Sequence, residues 1–230
     1  MKRVLFLMVA LVSLSLVKAE SPVTVGVDLY SRYVWRGSDF GNSPSIQPTL
    51  KYTAGGFSAG VWGSYSTLGT YKETDLFVSY TLPFGLTIGA TDFFMPTGAT
   101  GESADYFNVD SLTSHVFEVN AAYTIKGFTF LGSYCINEAK YGGAGAQGGD
   151  TYVEAKYTLE SGVNFFAGAG NGWYTYDYAL GEDNGFALCN VGVGATKTIK
   201  ITDSFSIPVN GSFIVNPEKK DVHFVVGVNF

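Results

Sequence analysis

Past residue 17 the chain has no apolar run long enough to cross a bilayer as a helix, which takes about 20 apolar residues. A bundle of membrane helices is excluded. Cys135 and Cys189 are too few for a disulfide framework. Only 15% of residues are charged, with 20 acidic against 14 basic, so the basic footprint that nucleic acid demands is missing. Two histidines, His115 and His223, leave little material for a general base. What the chain has in quantity is 29 Gly, 18 Phe and 15 Tyr at a mean hydropathy of only +0.15. That mixture suits β-strands whose apolar and small polar side chains alternate, in a barrel or a soluble sandwich.

The N-terminus reads as an export signal. Lys2 and Arg3 precede an apolar run from Val4 to Val17 that ends in Val17-Lys18-Ala19, the order of a charged region, an apolar region and a small-residue cleavage site. Residues 1–19 are expected to be a cleaved signal peptide and 20–230 one mature domain. Without Lys2, Arg3 and Lys18 the mature chain holds 11 basic and 20 acidic residues, a formal charge of −9.

Period-two polarity then divides the chain into about twelve segments of roughly ten residues, the pattern of membrane-spanning strands. They are expected near 23–36, 43–54, 57–66, 73–82, 86–95, 115–125, 128–137, 150–159, 163–174, 185–197, 204–215 and 221–230. In the last of them Val222, Phe224, Val226, Val228 and Phe230 alternate with Asp221, His223, Val225, Gly227 and Asn229, which puts the apolar set on one face. Short links such as Gly55-Gly56, Pro83–Gly85 and Lys126-Gly127 alternate with longer ones such as 96–114, 138–149 and 175–184. Outer-membrane barrels sort tight periplasmic turns and longer outer loops in this way. The expected fold is all-β, a closed antiparallel transmembrane up-and-down barrel of about 12 strands in a Gram-negative outer membrane.

The stretch Ser31-Arg32-Tyr33-Val34-Trp35-Arg36-Gly37, followed by Gln47-Pro48 and by Gly60-Val61-Trp62-Gly63-Ser64, resembles the N-terminal signature of the TorF-type family of bacterial outer-membrane porins. The resemblance is clearest over residues 24–95. It implies an outer-membrane location and channel activity, and carries over no substrate and no catalytic residue.

Charges facing lipid at mid-depth would cost about 2–4 kcal/mol each for Arg or Lys. Alternation therefore assigns Asp28, Arg32, Arg36, Lys51, Asp75, Glu118, Glu154, Lys156, Asp221 and His223 to the lumen. Either they pair across strands and fill a narrow barrel, or they line a pathway for small polar solutes. Arg36, at the outer end of the first expected strand, is the favoured pathway residue, with pairing to Asp39 as the structural alternative. Tyr33, Trp35, Tyr65, Tyr134 and Trp173 are expected in an outer aromatic girdle, and Tyr52, Tyr80, Tyr123 and Tyr157 in an inner one.

No catalytic residue, cofactor or metal ligand is expected. Gly143–Gly148 matches a dinucleotide fingerprint in form but lacks the following helix, and the acidic residues Glu102, Asp105, Asp110, Asp177, Glu182 and Asp183 fit no calcium-loop spacing. The expected partners are outer-membrane lipid and lipopolysaccharide, and the barrel-assembly machinery, which would read Phe224, Val226, Val228 and Phe230 as a C-terminal signal.

Overall fold

A computed structural model describes residues 22–96, 104–109, 114–137, 148–177, 182–183 and 185–230. The segment expected to be a signal peptide lies outside them, as do most of the loops at 96–114 and 138–149. The strands are β1 (Val23–Tyr30), β2 (Tyr33–Trp35), β3 (Ser38–Phe40), β4 (Ser45–Ala54), β5 (Phe57–Ser66), β6 (Lys72–Thr81), β7 (Leu86–Phe94) and β8 (His115–Ile125). They continue with β9 (Phe128–Cys135), β10 (Thr151–Thr158), β11 (Val163–Gly170), β12 (Tyr176–Asp177), β13 (Glu182–Asp183), β14 (Ala187–Lys200), β15 (Ser206–Asn216) and β16 (Asp221–Asn229).

Twelve of these strands form one closed antiparallel barrel, each beside its neighbour in chain order, with β1 pairing both β4 and β16. The ring closes where Asp28, Leu29 and Tyr30 oppose Asn229, Val228 and Gly227. Below that register Val27 and Phe230 exchange two backbone hydrogen bonds, of 3.2 and 3.0 Å. Tight turns are built by local chemistry: Lys126 (φ +49°) and Gly127 (φ +83°) both take the left-handed conformations of a two-residue type I′ turn, whose twist matches the strands it joins.

Alternation gives the wall two unlike faces. Outward lie Val25 (76% exposed), Leu50, Phe130, Phe213 and Phe224 (68% exposed), an apolar belt larger than a water-facing surface tolerates. Inward, toward the ends with long loops, residues such as Ser64, Glu73, Glu118, Cys135 and Asn216 are almost fully buried. Near the tight turns the inward set is largely open to solvent, with Thr24, Thr53, Thr81, Thr124, Thr158 and Thr196 all exposed. The interior is thus filled at one end only.

Three boundaries differ from expectation by three residues or more. The first wall strand stops at Tyr30, not at 36, because the next residues leave the wall. The strand expected over 163–174 ends at Gly170 and passes into a single 3₁₀ turn, Gly172–Tyr174, whose residues are buried. Finally, β14 runs on to Lys200, which shortens the link before β15.

Candidate functional site

What fills the long-loop half is the β2–β3 hairpin. Tyr33, Val34 and Trp35 favour extended backbone, and Arg36 (φ +49°) and Gly37 (φ +84°) supply the same left-handed pair as Lys126-Gly127, so β2 and β3 close on a two-residue turn with Trp35 opposite Ser38. The chain departs from the wall at Ser31. There the Ser31 N–H donates to the Val226 carbonyl (2.8 Å) and the Ser31 hydroxyl accepts from the Val226 N–H (3.0 Å).

The hairpin tip reaches the far wall. Opposite Gly168 and Ala169 the register of β14 shifts, leaving Cys189 without a partner residue, a bulge that re-aims the backbone. Gly37 rests on it so closely that a Cβ there would lie 2.0 Å from the Cys189 carbonyl oxygen. Asn216 Nδ2 donates to the Gly37 carbonyl (3.0 Å), and Lys219 Nζ donates to Ser38 Oγ (3.0 Å).

Arg36 makes the tip's charged contact. Its Nη1 and Nη2 donate to the two carboxylate oxygens of Glu118 on β8 at 2.5 and 3.0 Å, and Nη1 also donates to Tyr174 Oη at 2.6 Å. The guanidinium lies 4.3 Å from the Trp35 ring centre and 4.6 Å from that of Tyr152, within cation–π range. Burial works against the charge, yet Tyr174 and Glu118 outweigh it and hold the Arg36 pKa above its ordinary value. Burial pushes the Tyr174 phenol up, so it stays a neutral donor.

Aromatic rings complete the packing. Tyr33 contacts Phe40, Trp62 and Tyr71, while Trp35 contacts Phe93 (5.4 Å), Trp173 (5.3 Å) and Tyr174 (5.7 Å). Such pairs add about 0.5–1.5 kcal/mol each beyond area burial. Beside them Tyr71 Oη donates to Glu73 Oε2 (2.9 Å), and Asp75 is buried with Oδ1 lacking a hydrogen-bond partner. Tyr152 Oη donates to Glu154 Oε2 (2.6 Å), and Asn190 Nδ2 donates to both.

Of the residues assigned to the lumen, Asp28, Lys51, Asp75, Glu118, Glu154, Lys156, Asp221 and His223 lie on the inward face of the wall. The register sets Asp28 opposite Gln47, Lys51 opposite Gly60, Glu118 opposite Cys135, Glu154 opposite Gly168, and His223 opposite Ile214. Lys51 on β4 and Lys156 on β10 stand six strands apart in the twelve-strand ring, on opposite walls below the hairpin.

Arg32 and Arg36 are not wall residues, which corrects the expected face of the first strand. Arg32 sits where the chain leaves β1 and pairs with Asp39 and Asn42, and Arg36 pairs with Glu118 rather than Asp39. Tyr33, Trp35 and Trp173 belong to the interior packing and not to an outer girdle, whereas Tyr65 and Tyr134 are exposed on the outward face. The free thiols Cys135 and Cys189 are buried against the hairpin's seat.

Two features were not anticipated. Hydroxyls ring the tight-turn mouth, with Thr53 bonded to Ser58 (3.2 Å), Thr81 to Thr87 (2.9 Å), Thr124 to Thr129 (3.1 Å) and Thr196 to Asn210 (2.6 Å). Their signal was present as a threonine beside each short link. On the outward face, His115 bridges Asp92 Oδ1 (2.7 Å) and the Tyr106 carbonyl (2.9 Å). Period two placed Asp92 among Ile88, Ala90 and Phe94, where a carboxylate needs a partner.

Among solved structures the chain is similar to the KdgM porin, with 9% identity and a TM-score of 0.47 over 90% of this chain and 97% of that one. It is also similar to an outer-membrane channel from Pseudomonas putida F1 (14%, 0.44, 92% and 95%) and to OprD from Pseudomonas aeruginosa (15%, 0.39, 93% and 66%). No curated protein matches the chain. Residues 17–198, most of its length, match the model of a family described as bacterial protein of unknown function, and the chain belongs to that family, Gcw_chp.

Proposed function

We propose that this chain is an outer-membrane channel for small polar solutes whose resting form is closed by its own β2–β3 hairpin. One observation carries the reading: the same barrel has an open, hydroxyl-lined mouth at the tight-turn end and a packed hairpin at the other. A closed wall with an apolar outer belt suits a bilayer because its strands pair around the whole ring and satisfy the backbone over most of the wall's height. Loop lengths orient it, tight turns toward the periplasm. The inward threonines, with Lys51 and Lys156 across from one another, offer hydroxyl and ammonium groups to a hydrated solute. The hairpin is one chain segment held by side-chain contacts, namely the Arg36–Glu118 ion pair, a nest of rings and the bonds from Asn216 and Lys219, so it can leave its seat without breaking the barrel's ladder. Export by the 1–19 signal, delivery by the assembly machinery through Phe230, lipopolysaccharide as surroundings and kinship with TorF-type porins are parts of the same proposal.

A second reading, a non-conducting barrel that acts through its outer loops, is favoured by the full burial of Met95, Val116, Cys135 and Tyr152 around the hairpin. Single-channel recording of the refolded mature protein separates them. Stepwise openings support the gated channel. A silent bilayer from both the wild type and a variant with the hairpin unseated establishes the second reading.

A further inference from the structure

The barrel seam is paired over only part of its height. On β16 the ladder to β1 runs from Phe230 to Val226 and stops at Ser31, where the chain turns inward. The residues Asp221–Val225 rise above that point with no β1 residue opposite them, although each of them pairs with β15 on the other side. A cavity of about 440 Å³ occupies the notch, lined by Arg32, Asp39 and Asn42 on the hairpin side and by Asp221, Val222, His223 and Phe224 on β16.

Two of the lining residues each carry a buried polar atom with no hydrogen-bond partner: Asp39 Oδ1 and His223 Nε2. They belong to different walls of the notch, and His223 is 91% buried, with 9% of its surface exposed. A buried carboxylate oxygen accepts only, and an imidazole nitrogen donates or accepts according to tautomer. A hydroxyl group satisfies either. The lining charges are one cation, already paired to Asp39, and two carboxylates, so an anionic ligand meets net repulsion. Val222 and Phe224 are 60% and 68% exposed on the outward face and form the notch's apolar lip.

From this geometry we infer that the seam notch binds an amphiphile with an uncharged, hydroxyl-rich head lying in the adjoining membrane leaflet. Head hydroxyls bond Asp39 and His223, and the chain lies along Val222 and Phe224. The inference rests on the membrane reading of the barrel but is independent of conduction.

The sequence makes the test direct, because its two histidines, His115 and His223, stand on β8 and β16 on opposite sides of the ring. Mature protein with ¹⁵N-labelled histidine is placed in phosphatidylcholine nanodiscs and titrated with octyl glucoside, free glucose and dodecylphosphocholine. The expected result is a saturable shift of the His223 ring nitrogens by octyl glucoside, with His115 unmoved and an apparent affinity at least tenfold above that for glucose. Asp39→Asn is expected to weaken binding at least tenfold. Since Asp39 also holds Arg32, Val222→Ser serves as a second variant that leaves the hairpin alone, and it should bring octyl glucoside down toward glucose. A His223 signal that does not move, that responds equally to free glucose, or that responds more strongly to the phosphocholine overturns the inference. Failure of the protein to enter nanodiscs overturns the membrane reading and this one with it.

Discussion

Replacing Arg36 by alanine tests the hairpin as a gate. The substitution removes both guanidinium bonds to Glu118 and the contacts with the Trp35 and Tyr152 rings. It leaves a carboxylate whose side chain is 1% exposed, with the Tyr174 hydroxyl at 3.2 Å as its remaining donor. Stranding one member of a buried pair costs about 3–5 kcal/mol. That cost falls on the seated hairpin alone, since Glu118 regains water when the hairpin leaves. At 1.36 kcal/mol per factor of ten, the ratio of seated to unseated hairpin drops by roughly two to four orders of magnitude. In planar bilayers the wild type should therefore open rarely and Arg36→Ala should stay open for most of the record. The double variant Arg36→Ala/Glu118→Ala strands no charge and should open less often than the single variant. Open probability and conductance identical in Arg36→Ala and the wild type would refute the reasoning.

Other consequences are equally open to measurement. Gly37→Val adds side-chain atoms where a Cβ alone would sit 2.0 Å from the Cys189 carbonyl, at a φ of +84°, so the hairpin should be displaced while the barrel survives. Maleimide labelling reports this, because Cys135 and Cys189 are both 0% exposed in the seated form and should react only in the variant. Leu50→Arg puts a cation on the outward face and should lower unfolding free energy in lipid vesicles by about 2–4 kcal/mol, whereas Thr49→Arg, on the inward face, should cost well under that. Loss of Phe230 strips both bonds to Val27, and the truncated protein should be exported yet accumulate unassembled, as read by heat-modifiable migration of membrane fractions. Asp92→Ala removes the partner of His115 Nδ1 and should speed hydrogen exchange at Asn108, whose N–H bonds to Asp105 in the segment that His115 clasps through Tyr106.

The wall was legible in the sequence because a strand's two-residue period depends only on neighbours along the chain. Val222, Phe224 and Val226 against His223, Val225 and Gly227 state which face is which before any pairing is known. The gate was hidden for two reasons. Arg36-Gly37 has the same basic-then-glycine signature as Lys126-Gly127 and adopts the same turn, but Tyr33–Trp35 continues the alternation of β1, so period two runs through Ser31 without a break. The second reason is distance: Glu118 lies 82 residues from Arg36 and Tyr174 lies 138 away, and no local pattern selects those partners over Asp39 nearby. Tyr33, Trp35 and Trp173 were misplaced on similar grounds. A ring near a strand end suits a membrane edge as well as a packed interior, and only the inward fold of the hairpin decides between them. The partly paired seam was likewise invisible, since it follows from where Asp28 meets Asn229 once the ring has closed.

The three tryptophans of the chain, Trp35, Trp62 and Trp173, all lie in or against the packing around the hairpin, and none belongs to the outer belt. Indole emission therefore follows the docking of one short segment and not the insertion of the wall's outer belt. Strand formation registers separately in the far ultraviolet. A refolding time course watched in both windows will resolve two clocks, and the lag between them measures how long the finished cylinder stands unsealed.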